Sequence, residues 1–80
     1  MENNLSIVKD QFKELPNNIE AEQAVIGSLL VNNEIFDEIS TIISGINFYD
    51  PMHQKIFDAV DTLIYKGMLA NPITLKNYFE

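Results

Sequence analysis

An uncharged, mostly apolar stretch is the sequence feature that most constrains the fold. In the segment Ile19 to Val31, IEAEQAVIGSLLV, the charged side chains stop at Glu22. At about 100° per residue, its large and small side chains gather on different sides of a helix. The large set is Ile19, Val25, Ile26, Leu29 and Leu30, and the small side carries Ala24, Gly27, Ser28 and Val31. The pattern predicts a central helix with a packing neighbour on each side.

Gly27 calls for a structural reason, because a glycine inside a helix costs about 1 kcal/mol relative to alanine. We expect Gly27, beside Ala24 and Ser28, to mark the close approach of a neighbouring helix. Glu20 and Glu22 fall in the first turn, where a negative charge complements the helix dipole. We therefore predict that these two acids face solvent.

A second helix is predicted over residues 34–43, with Asn33 as its cap. Its isoleucines and Phe36 recur at helical spacing, which favours an amphipathic helix over a strand. Gly45 stands where a left-handed C-cap belongs. The link after it, residues 46–49, is apolar, and we expect its side chains to fill the core.

Two more helices have clear start signals. Asp50 and Pro51 predict the beginning of the third helix, and Gly67 its C-cap. Asn71 and Pro72 repeat the start signal for a fourth helix, whose apolar members are Ile73, Leu75, Tyr78 and Phe79. The fold class predicted is all-α, a small orthogonal bundle of about four short helices.

The first fifteen residues stand apart from this pattern. Leu5, Val8, Phe12 and Leu15 are spaced by three or four in a polar segment. One interpretation is a flexible tail, which we favour because chain termini fray by default; the other is a short helix that docks on a partner. Residues 1–15 are thus assigned to a tail and residues 16–80 to the folded domain.

Composition excludes several function classes. Twelve acids against five lysines give a net charge of −7, which repels phosphate backbones, so we expect no direct binding of nucleic acid. There is no cysteine for disulfides or thiolate metal sites. No apolar run reaches the roughly 18 residues of a membrane span, and no signal peptide is evident, so we predict a cytoplasmic protein with no membrane partner.

No catalytic, cofactor-binding or metal site is predicted in this chain. The three glycines are far apart and none precedes a lysine, so a phosphate-binding loop is missing. His53 is the sole histidine, and one histidine cannot hold a metal alone. We interpret His53 as a structural residue, packed in the first turn of the third helix and hydrogen-bonded to nearby backbone.

Two stretches resemble the N-terminal domain of bacterial replicative DNA helicases, the DnaB family. The first is Pro16 followed by Ile19 to Leu30, IEAEQAVIGSLL. The second follows the family pattern in order with Phe48, Tyr49, His53, Ile56, Phe57, Ala59, Leu63, Gly67, Thr74 and Leu75. Small departures are Ile26, Leu69 and Asn71, of which Leu69 loosens the turn before the last helix because proline is common there in the family.

The resemblance implies the helical head of that domain, without the helical hairpin and ATPase domain that follow it. It implies a scaffold that associates with other helicase subunits and docks primase and the helicase loader. ATP and Mg²⁺ would belong to the motor domain. Four apolar residues near the end of the chain are candidates for the interaction surface: Met68, Leu69, Tyr78 and Phe79.

Two alternatives stay open. A small acidic four-helix chain is also typical of carrier proteins, whose phosphopantetheine serine sits exposed at a helix start. Ser28 argues against this because we expect it in the middle of a helix on a packed side. The second alternative is a free-standing regulator that binds the complete helicase.

Overall fold

Residues 18–80 are described by a computed structural model, and this part of the chain folds into four α-helices and two 3₁₀ turns. The helices are α1 (Ile19–Val31), α2 (Phe36–Ile39), α3 (Pro51–Tyr65) and α4 (Pro72–Phe79). The first 3₁₀ turn is Asn33–Ile35 and the second is Gly45–Asn47. The predicted all-α class is confirmed for this region. The predicted tail, residues 1–15, lies outside the described residues.

Each of the three long helices begins at a side-chain cap. Asn18 Oδ1 accepts a hydrogen bond from the Ala21 amide at 3.0 Å, and Asp50 Oδ1 accepts one from the Met52 amide at 2.8 Å. Asn71 Oδ1 accepts from the Thr74 amide, and the Thr74 hydroxyl accepts from the Asn71 amide, both at 2.9 Å. These caps satisfy amides that have no partner inside their helix.

The core lies between α1 and α3, with three phenylalanines at its centre. The rings of Phe36 and Phe48 lie 5.3 Å and 5.2 Å from the ring of Phe57, a favourable tilted arrangement. The other buried members are Val25, Ile26, Leu29, Ile39, Ile43, Ala59, Val60, Leu63, Ala70 and Leu75. Residues from all four helices thus share one core.

The second helix is shorter than predicted. In place of a helix over residues 34–43, the first 3₁₀ turn leads into a single α-helical turn that ends at Ile39. The hydroxyls of Ser40 and Thr41 donate to the carbonyls of Asp37 and Glu38, at 3.1 Å and 2.7 Å. Such local bonds compete with helix continuation, which explains the early end.

Gly45 and Gly67 were both predicted to be left-handed C-caps. The prediction is wrong for Gly45 and agrees with the backbone conformation of Gly67. Gly45 does not adopt a positive φ; it is buried in the second 3₁₀ turn, where a Cβ would overlap the Asp58 carboxylate. Gly67 has a φ of +80° after the end of α3. Its amide donates to Ile64 O and the Met68 amide donates to Leu63 O, both at 2.9 Å, which together form a Schellman motif.

Several side chains expected in contacts are exposed instead. Gly27 lies on the open side of α1 with nothing within 4 Å of an added Cβ, so the predicted close helix contact does not exist among residues 18–80. Ile46 was expected to fill the core and is 83% exposed. Of the large side chains in this link, only Phe48 is buried in the core. Tyr49 was also expected there and is exposed. Within the described region, no helix is both long and apolar enough to cross a membrane.

Candidate functional site

A buried carboxylate ties α1 to the start of α3. Glu22, in the first turn of α1, is 1% exposed and is the one buried charged residue in the described part of the chain. Burying a carboxylate costs several kcal/mol unless hydrogen-bond donors surround it. The prediction that Glu22 faces solvent is therefore wrong, and its burial requires a partner elsewhere.

Those partners come from the segment before α3 and from its first turn. The Tyr49 amide donates to Glu22 Oε2 at 2.6 Å, and the Asp50 amide donates to Oε1 at 3.3 Å. His53 Nδ1 lies 2.7 Å from the same Oε1. The carboxylate also sits at the positive end of the α3 dipole. We call these four residues the Glu22 anchor.

His53 lies in the first turn of α3, where its side chain contacts a partner other than the one expected. Its side chain is 12% exposed, and its Nδ1 contacts the Glu22 carboxylate where backbone was expected. The Phe48 ring stands edge-on to the imidazole, 6.3 Å between centroids. The anchor holds the link before α3 against the start of α1.

A second polar contact fixes the turn between α3 and α4. Asn33 Nδ2 donates to Leu29 O at 2.7 Å and to Ala70 O at 2.9 Å, and its Oδ1 accepts from the Ala70 amide at 2.8 Å. The predicted cap role of Asn33 is therefore wrong; Asn32 caps the first 3₁₀ turn through the Glu34 amide. The turn therefore has backbone hydrogen bonds at Gly67 and side-chain hydrogen bonds at Ala70.

Apolar side chains in and beside this turn are exposed to solvent. Tyr65 at the end of α3 is 90% exposed, Leu69 in the turn 64%, and Ile73 at the start of α4 71%. Lys66 and Lys76 flank them. We call Tyr65, Lys66, Met68, Leu69, Ile73 and Lys76 the α3–α4 corner. Exposed apolar surface of this kind usually marks an interaction site.

All four interaction candidates from the sequence are exposed, but they do not form one compact patch. Met68 and Leu69 lie before α4, whereas Tyr78 and Phe79 lie at its other end, about 12 Å away by the rise of an eight-residue helix. The Tyr78 and Phe79 rings contact each other at 5.4 Å. Sequence reasoning missed Tyr65 and Ile73, both more exposed than any of the four.

None of the three glycines is placed to form a loop that binds a nucleotide phosphate. Gly27 is mid-helix, Gly45 is covered by the Asp58 carboxylate, and Gly67 lies at the negative, carboxyl end of α3. Among residues 18–80, no group of three or more His, Asp or Glu side chains is placed to hold a metal ion. The described residues thus offer polar contacts that build the fold and several exposed apolar side chains, among them those of the α3–α4 corner.

Comparisons with known proteins point to one family. Residues 14–80 match the family described as DnaB-like helicase N terminal domain. The chain is 44% identical over 63 residues to a replicative DNA helicase DnaB of Rickettsia typhi, covering 79% of this chain and 13% of that protein. It is 40% identical over 77 residues to one from Buchnera aphidicola subsp. Baizongia pistaciae, covering 96% and 17%.

The chain therefore spans only a small part of these relatives, and no solved structure matches it significantly. Ser28, the residue that a carrier protein would modify, lies mid-helix as expected, although on an exposed side rather than a packed one. The family match covers every residue of the four helices and both stretches on which the resemblance rests. The chain belongs to the family of DnaB-like helicase N-terminal domains.

Proposed function

We propose that this chain is the N-terminal scaffold and interaction domain of a replicative DNA helicase, supporting subunit assembly and partner docking during DNA replication. The observation that carries the proposal is the α3–α4 corner. Tyr65, Leu69 and Ile73 are exposed in and beside a turn that Asn33 joins by hydrogen bonds to the end of α1. A preordered apolar surface loses little conformational entropy on binding, so it suits docking.

In this proposal the chain does not perform the energy-using step. ATP and Mg²⁺ serve a motor domain elsewhere in the helicase, since the glycines here do not fit a phosphate. Other helicase subunits are the first partners, and primase and the helicase loader are further ones, in a cytoplasmic protein. A free-standing regulator of the helicase is the second candidate, favoured by the same exposed corner.

Co-purification tests the proposal. The tagged chain is co-expressed with the replicative helicase of the same cell, and in parallel with its primase and loader. We expect the helicase to be recovered with the chain, and Leu69→Asp to reduce recovery about tenfold, because it places a charge in an apolar contact. Ser28→Asp, on the exposed side of α1, is the matched control and should bind as the unmodified chain does.

Two outcomes would overturn it. If none of the three partners is recovered, the chain has no docking role. If Leu69→Asp and Ser28→Asp reduce recovery equally, the α3–α4 corner is not the docking surface. To separate scaffold from regulator, the purified chain is added to assembled helicase. Falling DNA unwinding at rising chain concentration would favour the regulator, and unchanged unwinding favours the scaffold.

A further inference from the structure

The outer side of α1 lacks the charges that usually face water. A surface helix normally carries charged or polar side chains opposite its buried stripe. Beyond Gln23, the exposed residues of α1 are Ala24, Gly27, Ser28 and Val31, and Ser28 has the only polar side chain among them. Val31 is 89% exposed. We call these four residues the open side of α1, an uncharged surface that the rest of the described chain leaves exposed.

The open side of α1 has the shape to receive a second helix. At 100° per residue, Ala24, Ser28 and Val31 lie within about 60° of one another, and Gly27 falls at one edge. The small side chains of Ala24 and Ser28 would let a neighbouring helix approach to the usual interaxial distance of about 8–10 Å. Nothing lies within 4 Å of a Cβ added at Gly27, so that edge of α1 is unobstructed.

The segment that precedes α1 has an apolar face of similar length. Residues 5–15 lie outside the described part of the chain. Arranged as a helix, this segment would bring four apolar side chains within about 80° of arc: Leu5, Val8, Phe12 and Leu15. Such a helix would be about 16 Å long, against about 20 Å for the 13 residues of α1. The family match begins at residue 14, so it does not account for most of this segment.

We propose that residues 5–15 form a helix that packs antiparallel along the open side of α1. In this arrangement Val8 lies between Ala24 and Ser28, and Gly27 lies beside the docked helix rather than under it. An isolated helix of this length is marginal in water. The apolar surface that the two helices cover on each other supplies the missing stabilisation.

The connection between the two helices fits this arrangement. Only Pro16, Asn17 and Asn18 separate the segment from α1, and antiparallel helices are usually joined by about two to five residues. Because a residue before proline disfavours the helical conformation, Pro16 also ends the first helix at this point. Lys13 and the exposed Glu20 would each lie about one turn from the connection, so opposite charges would face each other there.

This segment is favoured over other occupants because it is already attached to α1. The short connection gives it an effective concentration of about millimolar, and docking within one chain avoids the entropy cost of association. The sequence alone favoured a flexible tail, since chain termini fray unless contacts hold them. The open side of α1 provides such a contact.

Disulfide trapping tests the docking, because the chain contains no cysteine of its own. One variant carries Val8→Cys and Ser28→Cys. The matched control carries Ile7→Cys and Ser28→Cys, which places the first thiol on the opposite side of the proposed helix. Each is oxidised in a glutathione buffer at low protein concentration, and mass spectrometry follows the disulfide within one chain. We expect the Val8 variant to close about tenfold faster, because the two Cβ atoms must come within about 4 Å.

A segment without a fixed position would close both disulfides at the same rate, since loop closure depends only weakly on length. Equal rates therefore overturn the proposal. Phe12→Asp, added to the Val8 and Ser28 variant, places a charge in the apolar contact and should lower its rate to that of the control. An unchanged rate also overturns the proposal, provided that circular dichroism shows the variant to be folded.

Two further results identify a different occupant and overturn the proposal as well. One is a disulfide that forms mainly between two chains, and the other is a rate that rises with protein concentration. Both would assign the open side of α1 to a second copy. None of these measurements involves the α3–α4 corner, so the inference can fail while the proposed function stands.

Discussion

At the scale of single residues, the Glu22 carboxylate joins parts of the chain that lie 27 to 31 positions apart. It accepts from two amides before α3 and contacts His53 within α3. Removing the carboxylate leaves these donors without their acceptor in a partly buried place. A buried donor that loses its partner costs more than the hydrogen bond itself contributed.

We expect Glu22→Ala to lower the free energy of unfolding by about 3 kcal/mol, the range typical of breaking a buried charged contact. Glu22→Gln keeps one acceptor oxygen and the shape, so it should cost less than Glu22→Ala. Urea denaturation measures both. Gln23→Ala, on the exposed side of the same turn, is the control and should change stability by less than about 0.5 kcal/mol. An equal effect of Glu22→Ala and Gln23→Ala would contradict the anchor.

The sequence contained a sign of this burial. Val25, Ile26 and Leu29 follow Glu22 by three, four and seven positions, so the carboxylate lies on the same side of α1 as the apolar stripe. The usual preference for an acidic residue in the first turn of a helix predicted solvent exposure instead. The donors could not be predicted, because Tyr49 and Asp50 reach Glu22 only once α1 and α3 have packed.

At the scale of whole elements, the exposed side of α1 changes what is expected of Gly27. With nothing within 4 Å of an added Cβ, a methyl group meets no neighbour among residues 18–80. Gly27→Ala should therefore raise the free energy of unfolding by up to about 1 kcal/mol, through helix propensity alone. The close helix contact expected at Gly27 from the sequence would instead have made an added side chain destabilising.

Gly45→Ala is the matched comparison and should act in the opposite direction. Its new methyl group overlaps the Asp58 carboxylate unless that side chain moves. Thermal denaturation of the two variants side by side makes the measurement. A Gly27→Ala variant less stable than the unmodified chain would mean that a close neighbour exists beyond the residues described.

Helix starts were predictable and packing directions were less so. The caps of Asn18, Asp50 and Asn71 are set by residues within three positions, and sequence shows such signals directly. The exposure of Ile46 and Ile73 depends on how helices meet in space, which spacing in a short segment does not determine. For the same reason, the sequence identified only some of the exposed apolar residues at the α3–α4 corner. Leu69 was identified as an interaction candidate, whereas Tyr65 and Ile73 were not.

At the scale of the whole molecule, charge and glycine placement predict no nucleotide or nucleic-acid activity. The net charge of −7 repels phosphates, and the two lysines of the α3–α4 corner can neutralise about two of them, too few for retention at physiological salt. No glycine is placed to let backbone amides surround a triphosphate. We expect the purified chain neither to hydrolyse ATP nor to retain labelled single-stranded DNA at about 0.15 M salt. Phosphate release and fluorescence anisotropy measure the two activities, with a complete replicative helicase as the positive control. ATP turnover that follows the chain through a second, unrelated purification would show that the chain holds a nucleotide site that its glycines do not provide.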